Sequence, residues 1–256
     1  MLETIGLTRY FGGLCAVNEI SLTVGAGEIV GLIGPNGAGK TTVFNLLTGF
    51  LKPSKGSVNF EGKDITGLKP HAIAALGMVR TFQLVRILPG FTVTQNMIAA
   101  SHLHPRIGLW EAIFNTPRYR RKEKEVLAGL TETLELVGLT KMKDTLARNL
   151  PHGHQKMLGI AMALAARPRL LLLDESLGGM NQSEVENALG IMDQIRRRGI
   201  AILLIEHNVQ AVMTICDRVY VINFGTEICR GLPDEVKQNQ DVIAAYLGAG
   251  KRVKTQ

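Results

Sequence analysis

The stretch "IVGLIGPNGAGKTTVFNLL", residues 29 to 47, constrains this chain more than any other. An apolar run, Ile29 to Ile33, enters a glycine-rich loop, and a helical pattern leaves it. The loop fits G-x-x-x-x-G-K-[ST], with Gly34, Gly39, Lys40 and Thr41 at the fixed positions. Pro35, Asn36, Gly37 and Ala38 complete it, and Thr42 follows. Each residue type meets a physical demand. Glycines let backbone N–H groups converge on phosphate oxygens with no side chain in the way. The helix N-terminus adds the positive end of its dipole. Lys40 supplies a point charge for terminal phosphates, and the Thr41 hydroxyl is a ligand for Mg²⁺.

The organisation of the chain agrees with such a cradle. "ISLTV", "EIVGLI" and "GSVNFEG" read as strands closed by turn residues. From Thr92 to Ala166 the pattern becomes helical, with Val126, Leu127, Leu130, Leu134 and Val137 on one stripe. Strand-like runs return at "RLLLLDE" and "AILLIEH", separated by the helical "SEVENALGIMDQIRRRG". "RVYVIN" and "EICRG" form a last pair around "FGT". Alternating strands and helices with continuous apolar strands predict a mostly parallel sheet covered on both faces. The middle section reads as a helical lobe inserted into that α/β body, and "PRYRRKEKE" as a solvated helix face.

Composition then bounds the partners. A chain of 256 residues buries a large core, and 46% hydrophobic with 20% charged residues is globular in character. The net charge of +7 suits a phosphate-bearing ligand, nucleic acid or an anionic membrane surface without choosing among them. Cys15, Cys216 and Cys229 are odd in number and far apart, which argues against a disulfide framework and for a reducing compartment. The N-terminus lacks the pattern of a signal peptide, and no apolar run reaches the ~18 residues of a membrane helix. A soluble chain is expected, reaching a membrane only through a partner or a surface patch.

"LLLLDE" brings Asp174 to the carboxyl end of a buried strand, where such proteins hold the outer shell of the metal. Glu175, one residue on, has left the strand and can face an attacking water as general base.

With these motifs in order, the sequence resembles the ATP-binding subunit of an ABC transporter, nearly end to end. The resemblance implies one ABC ATPase domain over 1–256. Residues 1–91 and 167–256 would form a P-loop NTPase core with an antiparallel β subdomain, and 92–166 the helical subdomain. It gives Phe11 in "RYFGG" the adenine-stacking place, with Tyr10 as competitor, and Gln83 in "RTFQ" the Q-loop place, near the metal and the catalytic centre. A D-loop falls at "GGMN", Gly178 to Asn181, and a switch histidine at His207 in "LLIEHN". Glu206 is read as a structural contact, and His71, His102 and His104 as surface residues.

In the family the signature loop is written LSGGQ; here it is "LPHGHQ". Leu150, Pro151, His152, Gly153 and His154 would bind the γ-phosphate of ATP held by the other subunit of a head-to-tail dimer. Pro151 replaces the family's serine, at an expected cost of about 1–3 kcal/mol for the lost donor. His152 and His154 raise the expectation of a histidine-linked pH dependence. Two histidines at i, i+2 face different ways on a helix and lack a completing Cys or carboxylate, so a metal site there is the poorer alternative. Ser176 also stands where the family usually has proline.

"GLCAVNEISLTV", "RTFQ" and the ending "VIAAYLG" look like the ATPase subunit of branched-chain (hydrophobic) amino-acid importers. That similarity implies ATP and Mg²⁺ as cofactors, a second identical or homologous ATPase, two integral membrane permease subunits and an extracytoplasmic substrate-binding protein. It also implies a peripheral position on the cytoplasmic face of the inner (plasma) membrane and no nucleic-acid partner. Importers of urea, amides or aromatic acids are the alternative. A soluble ABC ATPase acting on ribosomes or DNA and a non-hydrolysing nucleotide-dependent module are the rival classes.

Overall fold

The computed structural model describes residues 1–81, 87–101 and 117–251, with side chains described at all of these except 117–126 and 247–251. Among them the strands are, in chain order, β1 (Leu2–Phe11), β2 (Leu14–Ile20), β3 (Thr23–Val24), β4 (Ile29–Ile33), β5 (Lys55–Phe60), β6 (Lys63–Asp64), β7 (Met78–Arg80), β8 (Leu170–Asp174), β9 (Ala201–Ile205), β10 (Arg218–Asn223) and β11 (Thr226–Gly231). They form two sheets.

The larger sheet has the order β11-β10-β4-β9-β8-β7. Every pairing from β10 to β7 is parallel, and only the β10–β11 hairpin is antiparallel. Each central strand divides its side chains between two cores, as the two-residue period of a strand requires. Ile29, Ile33, Leu171, Leu173, Ile202 and Leu204 pack on one side, together with the helical residues Leu130, Leu134, Leu158 and Met192. Val30, Leu32, Leu170, Leu172, Leu203 and Ile205 pack on the other, with Phe44, Leu47, Val58 and Phe60. This explains the unbroken apolar runs read from the sequence. The strands have no solvated face.

The smaller sheet is antiparallel, ordered β2-β1-β5-β6 with β3 paired to β1. It lies over the second core. A turn after β10 fastens the two sheets beside the glycine-rich loop. Gly225 N–H donates to the Ala38 carbonyl at 2.9 Å, and the Gly225 carbonyl accepts from Asn18 N–H at 2.8 Å.

Among the described residues the α/β class and the parallel sheet appear as the sequence predicts, helices occupy 93–101, 117–136 and 152–165, and the antiparallel sheet is the one the resemblance implies. Some local expectations change. "ISLTV" is interrupted, because Ile20 ends β2 and only Thr23–Val24 resume pairing, as β3. The first strand, Leu2–Phe11, and the short Met78–Arg80 carry no clean signal and escape sequence reading. Of the predicted helical stripe, Leu130 and Leu134 are buried, Val137 is buried just beyond the helix Pro117–Leu136, and Leu127 is 43% exposed. The helices Val93–Ser101 and His152–Ala165 contact this helix and share a core with Leu130 and Leu134, and Leu127 lies beyond their cover. His71 is exposed, as expected.

Gly31, in the middle of β4, touches the helix Val209–Ile215. A Cβ there would sit 2.6 Å from Val212 Cγ1 and 3.1 Å from Cys216 Sγ. Gly31→Ala is therefore expected to overpack this face and cost about 1–3 kcal/mol. Urea unfolding with an unchanged m-value and a lowered midpoint checks it; an unchanged midpoint would refute the close packing.

Candidate active site

The glycine-rich loop leaves β4 and ends in the helix Lys40–Leu47. Gly34 is required by close approach, since a Cβ would lie 2.1 Å from the Ile222 carbonyl oxygen. Gly39 caps the helix at φ 103°, in the left-handed region that favours glycine. Pro35, Asn36 and Gly37 form the rim, with Ala38 buried beneath. Lys40 is buried, and its Nζ donates to the carbonyls of Gly34 at 2.7 Å and Pro35 at 3.0 Å. Burial lowers its pKa, and the carboxylates of Glu175 and Asp174 oppose that shift. The ammonium is thus folded over the loop, facing two acids. Thr41 and Thr42 follow at the first turn of the helix, Thr41 exposed.

Asp174 ends β8 opposite Ile205, the last residue of β9. It is buried and held by Arg80 from β7, Nη2 to Oδ2 at 2.6 Å. Arg80 Nη1 also donates to Asn45 Oδ1 at 2.7 Å, and its guanidinium lies 5.5 Å from the Phe44 ring centroid. The Arg80 side chain therefore joins the helix after the glycine loop to the acidic strand end. Ser176, the residue in place of the family's proline, is buried with its hydroxyl 3.3 Å from Thr81 Oγ1. Thr81 Oγ1 in turn accepts from Asp174 N–H at 3.3 Å.

Glu175 leaves the strand with φ 50°, a left-handed conformation that costs a non-glycine residue energy. Its Oε1 lies 2.6 Å from His207 Nε2. His207 directly follows Glu206, at the end of β9, so parallel neighbouring strands bring the acid and the imidazole together. Glu206 is buried and accepts from Leu177 N–H at 2.7 Å. Burial pushes its pKa up to about 7, and the Glu175 charge adds to the rise, against the N–H donors of Leu177 and His207 and the Lys156 charge. Sequence reading gave no role to Arg80 or Lys156. Each borders a short apolar run, Met78–Val79 before Arg80 and Met157–Leu158 after Lys156, which is the only signal the sequence holds for them.

Other predicted site residues sit apart from this cluster. Phe11 ends β1, half exposed, with the Arg9 guanidinium 4.8 Å from its ring centroid. Tyr10, its competitor, is similarly exposed. Leu150 is buried before the helix His152–Ala165, and Pro151 is its N-cap, without a side-chain cap hydrogen bond. His152 is exposed, and a Cβ on Gly179 would sit 3.1 Å from its ring. Gly153 is buried: a Cβ there would come within 2.5 Å of Glu184 Oε1. The missing side chain makes room for an acid of the same chain. Glu184 belongs to a capping box with Asn181 that opens the helix Gln182–Arg197. His154 is partly buried. Gln83, His102 and His104 lie outside the described residues.

This geometry has known counterparts. Residues 17–178 match the family described as ABC transporter, and residues 227–252 match the one described as branched-chain amino acid ATP-binding cassette transporter. The chain belongs to the ABC transporter ATPase family. It is 43% identical over 249 residues to the high-affinity branched-chain amino acid transport ATP-binding protein BraF of Pseudomonas aeruginosa, covering 97% of this chain and 98% of BraF. The LivG protein of Salmonella typhimurium, with the same description, is 44% identical at the same coverage. Among solved structures, an ATP-binding cassette of an ABC transporter in its ADP conformation superposes with TM-score 0.85 at 31% identity, over 97% of this chain and 98% of that one. The protein is accordingly a nucleotide-binding ATPase subunit with the ABC cassette fold. Among the described residues no helix is long and apolar enough to cross a membrane.

Glu206 gives the site a pH signature in stability. A carboxyl whose pKa is raised from 4.5 to about 7 holds a proton in the fold that the unfolded chain has released. Stability therefore falls as pH rises from about 4.5 to about 7 and is flat above. Glu206→Gln removes this slope, so the variant gains on the wild type by up to about 3 kcal/mol between pH 5 and 8. Chemical denaturation at the two pH values measures it, and parallel curves for both proteins would refute it.

Proposed function

We propose that this chain hydrolyses ATP to energise an importer of branched-chain or other hydrophobic amino acids. The observation that carries the chemical part is the Glu175–His207 contact of 2.6 Å, beside the strand end that delivers Asp174 and facing Lys40 at the end of the glycine-rich loop. The match of residues 227–252 and the BraF and LivG relatives support the solute class.

In this reading the loop Gly34–Thr42 cradles the phosphates, with Lys40 at the terminal ones. Phe11 stacks on the adenine, and Arg9 backs its ring. Glu175 orients the attacking water and accepts its proton, while His207 holds the glutamate and reaches the γ-phosphate. The residues present fit Mg²⁺. Thr41 offers an exposed hydroxyl and Asp174 a fixed carboxylate, both hard oxygen donors, and the loop mouth at Gly37 is open. Gln83 would complete that set. Bound there, the ion would neutralise phosphate charge.

The loop Leu150–His154 would cap the γ-phosphate of a second ATPase subunit, identical or homologous, using the free N–H groups of its helix terminus. Pro151 removes a side-chain donor but leaves those backbone donors in place. We take residues 92–166 as the helical subdomain and 1–91 with 167–256 as the nucleotide-binding body. Two integral permease subunits at the cytoplasmic face of the inner membrane and an extracytoplasmic binding protein would complete the transporter.

Glu175→Gln is expected to lower turnover on the order of 10²–10³-fold in the assembled transporter while ATP binding persists. Phosphate release and equilibrium ATP binding, measured together, check this; turnover at the wild-type rate would overturn the assignment. Uptake of labelled leucine by vesicles carrying the complex, against urea and aromatic acids, tests the solute.

A further inference from the structure

Glu175 has an unfavourable backbone conformation at the end of β8, and a left-handed glutamate persists only where its surroundings hold it there. Backbone and side-chain bonds hold this one, and the Glu175 carbonyl accepts from Gly178 N–H at 3.4 Å within the turn. Glu175 N–H donates to the Ile205 carbonyl at 2.8 Å, which sheet pairing supplies. Two more come from side chains. Lys156 Nζ donates to the Glu175 carbonyl at 3.1 Å, and Glu206 Oε1 accepts from Leu177 N–H at 2.7 Å, two residues on. Lys156 and Glu206 are both at least nine-tenths buried, where polar groups are kept only if they are bonded.

The two side chains come from different parts of the molecule. Glu206 stands beside His207, at the end of β9, and also accepts from the His207 N–H. Lys156 lies one turn into the helix His152–Ala165, which begins with the loop "PHGH". Their opposite charges attract across the turn Glu175–Leu177.

We propose that Lys156 and Glu206 form a positioning clamp that sets the direction of the Glu175 carboxylate and keeps it against His207. Lys156 grips the turn from the signature helix, and Glu206 grips it from the strand that carries the histidine. Neither touches the reacting atoms; both are positioning residues. The inference rests on the proposed role of Glu175 as base. It adds a link within one chain, from the helix that would cap the partner's nucleotide to the group that would activate water.

The test uses the assembled transporter with E206A, E206Q, K156M and E175Q, reading kcat and KM for ATP, and binding of a fluorescent ATP analogue as the check on folding. E206A and K156M are each expected to lower kcat by roughly ten- to a hundredfold, the size of effect that misplacing a base has, with KM unchanged within about twofold. E206Q keeps an oxygen acceptor for Leu177 N–H and is expected to recover kcat to within about threefold of wild type. The K156M/E206A double variant is expected to be little worse than either single one, because both act on one turn. The clamp is overturned if E206A or K156M binds the analogue and keeps kcat within about twofold of wild type. It is also overturned if E206Q falls as far as E206A, or if the loss appears in KM alone. Should E206A fail to bind the analogue, K156M alone decides by the same limits. E175Q separates the premises: an inactive E175Q beside active E206A and K156M removes only the clamp, whereas an active E175Q removes the base as well.

Discussion

A sheet with no solvated face dictates where this protein can keep its charges. β4, β8, β9 and β10 send alternate side chains into two separate cores, so a polar group within their length would be stranded in hydrocarbon. Ionisable groups can appear only where the strands stop. Because these strands are parallel, they stop together, and the groups collect at one edge. Asp174, Glu175, Glu206 and His207 come from two neighbouring strands, and the loop carrying Lys40 from a third.

That edge is crowded with charge, and each buried member has a named partner. Arg80 neutralises Asp174, Lys40 sits under its own loop carbonyls facing two acids, and Lys156 offsets Glu206. Burial without such partners would cost several kcal/mol per ion. The arrangement also stiffens the site. Arg80 ties β8 to the helix after the glycine loop through Asn45, and Thr81 ties the same strand end to Ser176. The acidic strand end is therefore linked to the helix after the glycine loop through Arg80 and to Ser176 through Thr81, two adjacent side chains of β7 and its exit.

The sequence revealed the fold class and the phosphate loop because both rest on local rules. A glycine loop between an apolar strand and a helix is a contiguous signal, and four leucines before Asp174 announce a buried strand. Asp174 and Glu175 were readable for the same reason, one closing β8 and the other directly following it, whereas His207, two residues beyond β9, took its place from the family resemblance. The supporting residues were not, since their meaning depends on register. Only the parallel pairing of β7 with β8 puts Arg80 beside Asp174, and only the packing of the helix His152–Ala165 brings Lys156 to the Glu175 carbonyl. Glu206 was read as a structural contact; its partner is Leu177, 29 residues away. Gly153, one of the residues expected at the partner's γ-phosphate, leaves the space beside its Cα to Glu184 of the same chain. "NQSE" at Asn181–Glu184 had the spacing of a capping box, and that pattern could have placed Glu184 in advance.

The turn at Phe224–Gly225 bears on nucleotide choice. One of its hydrogen bonds goes to Ala38 in the phosphate loop and the other to Asn18 on β2, the strand whose hairpin presents Phe11. The hairpin of Phe11 and the glycine-rich loop are consequently bonded to one common turn. Under the proposed reading the protein works as a gauge. A ligand must be long enough to reach from ring to rim, and one lacking either end would find only half of the template.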